Sequence, residues 1–134
     1  MKKRILAILA YMLPTFPLGF VWHLTIFADY YRSLNVYRED MIIPFGAGSM
    51  LVQGILFSII YEKMFASERV LSGALKFGAI ACPLAWSYMA LAASAKHRMD
   101  SWSGYLAIET AFVVVHFLIV SPLIALVYSR KPAS

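Results

Sequence analysis

The chain has 134 residues, of which 61% are hydrophobic and 14% charged, and a formal net charge of +5. Soluble domains usually hold about 45–50% apolar and about 25% charged residues. The apolar residues here run too long for one water-soluble core, and runs of about 18 or more mark bilayer-spanning helices. The positive charge does not point to nucleic acid, because most basic residues flank hydrophobic runs, where they act as topology signals and headgroup contacts.

Met1–Arg4 is a short basic start, and Ile5–Phe27 reads as the first span. A cleaved signal would carry an apolar run of only about 7–15 residues and a small-residue cleavage site, so an uncleaved span is expected. Pro14 and Pro17 near its middle each remove a backbone donor, which predicts a kink. Ala28–Asp40 is the first connection, where Tyr30, Tyr31 and Tyr37 suit a headgroup layer that wets a hydroxyl and half-buries a ring. Asp40 is the expected N-cap of the second span, Met41–Tyr61, with Pro44 in its first turn. After the mixed-charge connection Glu62–Arg69, with Ser67 as candidate cap, the third span runs Val70–Ala95 and contains Pro83. Lys76 near its start is long enough to snorkel to the headgroups. Lys96–Ser103 connects to the fourth span, Gly104–Tyr128, and Ser129–Ser134 is a short basic tail. The single cysteine, Cys82, lies in a span and reads as a small packing residue, since no second thiol exists to pair with it.

This pattern predicts one all-α integral membrane domain over residues 1–134, a transmembrane four-helix bundle with antiparallel up-down order. The side holding both termini carries Lys2, Lys3, Arg4, Lys63, Arg69, Lys76, Arg130 and Lys131; the other carries Arg32, Arg38, Lys96 and Arg98. The positive-inside rule then places both termini in the cytoplasm of a multi-pass protein. Small residues spaced by four give close-approach faces: Gly54 and Ser58 in the second span, and Ala74, Gly78 and Cys82 in the third.

The fourth span carries a carboxylate, Glu109, and an imidazole, His116, seven residues and ~10 Å apart on nearly one face. Ionisable groups at membrane depth are costly and point by default to function. His23 and Glu109 fall at similar depth toward the non-terminal side, and His116 and Gln53 nearer the midplane. If the first and fourth spans are neighbours, His23 and Glu109 form one polar layer, and His116 and Gln53 a second beneath it. Such groups hold a proton, a metal ion or a small polar ligand, or hydrogen-bond each other to fix helix register. His97 on the third connection reads as a solvated residue. Trp22 and Trp102 fit an aromatic belt, and Trp86 needs a partner for its indole donor. The chain contains no phosphate-binding glycine loop, Cys-x-x-Cys, His-Glu-x-x-His or Gly-x-Ser-x-Gly element.

Several stretches together carry a resemblance: Gly19-Phe20-Val21-Trp22-His23 followed by Phe27 and Tyr31, then Ile43-Pro44-Phe45-Gly46, Leu75-Lys76-Phe77-Gly78, and Ile108-Glu109-Thr110-Ala111-Phe112. The chain resembles small four-span bacterial membrane proteins of unknown function, which often carry Tyr at the position of His23. The resemblance implies an integral inner-membrane protein and brings no activity or cofactor with it. The expected role is binding or accessory, in the lipid bilayer, as a homo-oligomer or part of a larger membrane complex, with no nucleic acid partner. The alternatives are a small oligomeric transporter or channel, and a membrane-embedded enzyme using the same groups.

Overall fold

The structure, a computed structural model, describes residues 1–129; Arg130 and Lys131, counted above toward the charge bias, lie outside the described residues. Four helices are long and apolar enough to cross a membrane: α1 (Lys2–Ile26), α3 (Ile43–Met64), α4 (Val70–Lys96) and α5 (Trp102–Ser129). A short helix, α2 (Ala28–Ser33), follows α1 directly. Phe45, Leu71 and Leu118 are 74%, 72% and 69% exposed. An apolar exterior of this kind suits lipid and not water.

The helices form an antiparallel bundle in which α1 lies between α3 and α5, and α5 between α1 and α4. One end, here the terminal end, is tightly knit. Lys3 Nζ donates to the Tyr128 carbonyl at 2.9 Å, Arg4 pairs with Glu62, and the Tyr128 hydroxyl donates to the Ser58 carbonyl at 3.0 Å. An aromatic cluster of Phe57, Tyr61, Phe77 and Phe117 joins α3, α4 and α5 just above it, with edge-on ring pairs at 5.5–5.7 Å. Helices in lipid gain no hydrophobic drive from meeting one another, so close packing and hydrogen bonds must hold them. The small residues serve this. Gly54 sets α3 against Ile8 and Tyr11 of α1, and Gly78 sets α4 against Ser121 of α5. Cys82, half-buried, lies against the Val113 carbonyl.

The helix starts differ from the capping expected of Asp40 and Ser67. The cap position of α3 is Ile42 and that of α4 is Arg69, neither with a side-chain cap bond. Asp40 is instead held by Arg38, whose guanidinium contacts both carboxylate oxygens at 2.9 and 3.0 Å and keeps the carboxyl below its usual range. Lys76 bonds Glu68 at 2.6 Å, and this bond holds the Glu68 carboxyl low.

Helix α1 continues through Pro14 and Pro17, then widens into a π turn over Trp22–Ile26, closed by the Phe27 N–H to the Trp22 carbonyl at 3.1 Å. A second wide turn, Ser87–Leu91, follows Pro83 in α4. Each comes within two turns of a proline, whose missing donor already breaks the regular ladder.

Replacing Gly54 by Leu is expected to force α1 and α3 apart, because a Cβ there already lies 3.3 Å from the Tyr11 ring and 3.4 Å from Ile8. A loss of about 1–3 kcal/mol should appear in thermal unfolding in detergent. Leu at Gly46, where nothing lies within 4 Å, should leave the transition almost unchanged.

Candidate functional site

Glu109 sits on α5 with only 2% of its surface exposed. Three polar groups from outside α5 converge on its Oε1. The His23 Nε2 lies 2.9 Å away, the Tyr31 hydroxyl donates at 2.6 Å and the Tyr37 hydroxyl at 3.3 Å. They come from the π turn of α1, from α2 and from the segment between α2 and α3. Each is placed for a local reason. The π turn adds a residue to the helical ring, so His23 leaves the register of a regular helix. Phe27, Tyr31 and Leu34 recur at helical spacing, and this face packs on Ala93 and Tyr105. Asn35 then takes a left-handed conformation, φ 53°, and turns the chain back. The turn is tied to the α4–α5 connection by Asn35 Nδ2 to Asp100 at 2.8 Å and by the Asp100 N–H to the Leu34 carbonyl at 3.1 Å. The chain that follows stacks Tyr37 on Tyr31, ring centroids 5.2 Å apart.

The hydrogen-bond pattern counts the protons. His23 Nδ1 lies 2.9 Å from the Gly19 carbonyl, which only accepts, so Nδ1 carries a hydrogen. The contact between Nε2 and Oε1 then needs another hydrogen, on the imidazole or on the carboxyl. In either case the pair carries no net charge, and the Tyr31 and Tyr37 hydroxyls offset part of what its desolvation costs. Burial, then the neighbouring Glu109, pushes the Tyr31 and Tyr37 phenols above their ordinary value, so both remain donors.

His116 has a different setting. The Thr15 hydroxyl donates to the Tyr11 carbonyl, so its oxygen accepts from His116 Nε2 at 2.7 Å. His116 is 2% exposed, stacked on Phe112 at 5.7 Å and flanked by Phe117 and Tyr11, and its Nδ1 has no partner. Gln53 does not bond His116 directly. It accepts from the Tyr11 hydroxyl, so the deeper layer runs from α3 through Tyr11 and Thr15 of α1 to α5. Trp86 donates to Thr110 at 2.8 Å, His97 is exposed, and Trp22 packs inward on Phe27 and Phe112.

Two cavities meet at this cluster. The first, about 420 Å³, is a cleft between α1 and the first half of α3, with His23, His116 and Gln53 in its walls. It exists because α3 buries only Gly54, Phe57, Ser58 and Tyr61, all beyond its midpoint, so the half before Gly54 meets the bundle only loosely, through Met50 and Gln53. The second, about 430 Å³, lies toward the connection and is bordered by Arg32, Asn35 and Glu39. His23, Leu24, Tyr37, Arg38 and Met41 belong to both and form the wall between them. Among the described residues no three His, Cys, Asp or Glu side chains converge as metal ligands would.

The architecture is therefore that of an all-helical four-helix bundle with a polar cluster near one end and a cleft beside it. Compared with known protein families, curated proteins and solved structures, the chain matches none. The likeness to small four-span bacterial proteins thus stands only as four helices of spanning length.

From sequence, Tyr31 and Tyr37 read as headgroup-layer residues and Ser49 as part of a packing face with Gly46 and Gln53, while Tyr11 carries no signal. The headgroup pattern placed Tyr31 and Tyr37 half-buried at a wet interface; Tyr37 is 40% exposed, whereas Tyr31 is 2% exposed, and both hydroxyls turn to Glu109. The helical spacing of Phe27, Tyr31 and Leu34 was the legible signal of burial.

Glu109→Ala should leave His23 and two phenol donors without their partner and cost about 2–4 kcal/mol. Limited proteolysis should then cut between Leu34 and Ile42, while Glu109→Gln, which keeps an acceptor oxygen, should be cut far more slowly. Because the two phenols are raised above the unfolded value of about 10, their share of stability is complete below pH 10 and is lost as pH rises beyond it. Thermal unfolding should show an alkaline slope that shrinks in the Tyr31→Phe, Tyr37→Phe double variant.

Proposed function

We propose that this is an integral membrane binding protein, one domain crossing a bacterial inner membrane four times with both termini cytoplasmic, whose ligand is a small, largely apolar molecule. The observation that carries this reading is the cleft of about 420 Å³ between α1 and α3. Small-molecule sites are concave, mostly apolar, and carry a few placed polar groups. Here Phe16, Phe20 and Met50 supply the apolar wall, and His23, Gln53 and Ser49 the polar points. The cleft lies beside an α3 face that would border lipid, so an apolar ligand reaches it sideways from the bilayer. The neutral His23–Glu109 pair fixes one wall without placing a net charge in the site.

A second reading, a small transporter, is favoured by the wall shared between the two cavities. Displacement of Tyr37 and Arg38 would join the cleft to the more polar cavity beyond. A homo-oligomer suits both readings, since the first half of α3 leaves an apolar face uncovered.

Gly46 lines the cleft with open space around it. Gly46→Trp is expected to fill the cleft, keep the unfolding temperature within a few degrees, and reduce binding of an environment-sensitive apolar dye at least tenfold. Undiminished dye binding in this variant would remove the cleft as the site.

A further inference from the structure

The cleft carries hydrogens that have no acceptor, and this specifies the chemistry of what enters it. Some hydroxyls on the helices spend their hydrogen on a carbonyl of the preceding turn, Thr15 on Tyr11, Ser87 on Leu84 and Thr110 on Leu106, while the buried Ser94 and Ser121 hydroxyls, outside the cleft, have no partner. Ser49, in the cleft, makes no such bond to a carbonyl. Its oxygen accepts from Gln53 Nε2 at 3.1 Å, which leaves the Ser49 O–H free, and the second N–H of Gln53 is free as well. The Gln53 carbonyl oxygen is already taken by the Tyr11 hydroxyl at 2.5 Å. Rotating the amide by half a turn transfers one free hydrogen from Ser49 to Tyr11 and still leaves two. The excess of donors is therefore a property of the trio and not of one amide orientation.

Depth and charge narrow the acceptor. Ser49 and Gln53 lie roughly 9 and 15 Å along α3 from Ile43, at ~1.5 Å per residue. In a hydrocarbon layer about 30 Å thick this is interior, below the level at which glycerolipid ester carbonyls are anchored by their headgroups. The lining carries one always-charged side chain, Arg38, which belongs to the wall at the mouth and is paired with Asp40. The walls at this depth present flat and polarisable surfaces, with Tyr11, Phe16, His116 and Met50 among them. A charged head is disfavoured there, and a ring that dissolves in hydrocarbon is favoured.

We infer that the cleft takes a neutral, lipid-soluble ring compound bearing a carbonyl oxygen, of the quinone type, whose oxygen accepts hydrogen bonds from Ser49 and Gln53. The inference rests on the cleft being a binding site and adds the ligand's polar chemistry. The volume of about 420 Å³ admits such a ring with the first part of its apolar tail.

The test uses the full chain in nanodiscs, titrated with a short-chain alkyl benzoquinone and with an alkylbenzene of equal tail length. The quinone should bind at least tenfold more tightly than the alkylbenzene. Ser49→Ala should weaken the quinone severalfold, and Ser49→Ala with Gln53→Leu at least tenfold, with alkylbenzene affinity unchanged. Thermal unfolding confirms that each variant is folded. Equal affinity for the two probes, or undiminished quinone affinity in the double variant, overturns the carbonyl assignment and leaves the cleft standing. Displacement of the bound dye by diacylglycerol but not by the quinone assigns the acceptor to an ester and overturns the ring. Binding of none of these probes overturns the cleft reading itself.

Discussion

The buried Glu109 carboxyl is the group on which the non-terminal half of the molecule depends. An ionisable group this enclosed cannot rely on water, so its partners must be supplied by protein and held in place. His23, Tyr31 and Tyr37 come from three successive segments of one stretch of chain. Satisfying one oxygen therefore fixes the π turn of α1, the docking of α2 and the path of the segment leading to α3. Three contacts to a single atom make these segments interdependent, since a displaced segment leaves its own polar group unpartnered.

The two ends of the bundle are closed by different means. The terminal end is held by helix-to-helix packing, with aromatic rings interlocked across α3, α4 and α5 and Tyr128 bonded to Ser58. The other end is held by connections folded back onto the helices: α2 on Tyr105, and Asn35 on Asp100. Between these closures α3 buries residues only from Gly54 onward, and before it touches the bundle through Met50 and the Gln53–Tyr11 bond. The first half of α3 lines the cleft with the small residues Gly46, Ala47 and Ser49, so the cleft is a consequence of side-chain size along one helix. Bulky residues at these positions would have filled it.

Much of the fold was legible because hydrophobic run length, proline positions and small-residue spacing are local signals. The pairing of His23 with Glu109 followed from depth counting, since the rise per residue is nearly constant in a helix. What depth counting misses is rotation. A π turn shifts the face a residue presents, and nothing in Trp22–Ile26 announces one beyond the proline before it. Gln53 and His116, expected to share a layer, meet only through Tyr11 and Thr15, because α1 stands between α3 and α5. The caps at Asp40 and Ser67 were misjudged for a related reason. Capping is weak, about 1 kcal/mol, and Arg38 offers Asp40 a two-point contact instead.

The half-buried His23 and the buried His116 both border the cleft, and hydrogen-bond direction shows what each can do there. Each uses one ring nitrogen against α1: His116 through Thr15 and His23 through the Gly19 carbonyl. The partner's chemistry then sets the tautomer. Thr15 has spent its own hydrogen on the Tyr11 carbonyl, so His116 must donate from Nε2, and its Nδ1 is left as a bare acceptor among aromatic rings. That arrangement locks α1 to α5 and needs no exchange of protons. His23 must donate from Nδ1, and its Nε2 then faces a carboxyl across a bond that requires one more proton. Because His23 also borders both cavities, this proton lies one side chain away from whatever occupies them. Of the two histidines, only His23 combines a proton held jointly with a carboxyl and a place in the wall between the cleft and the polar cavity beyond it.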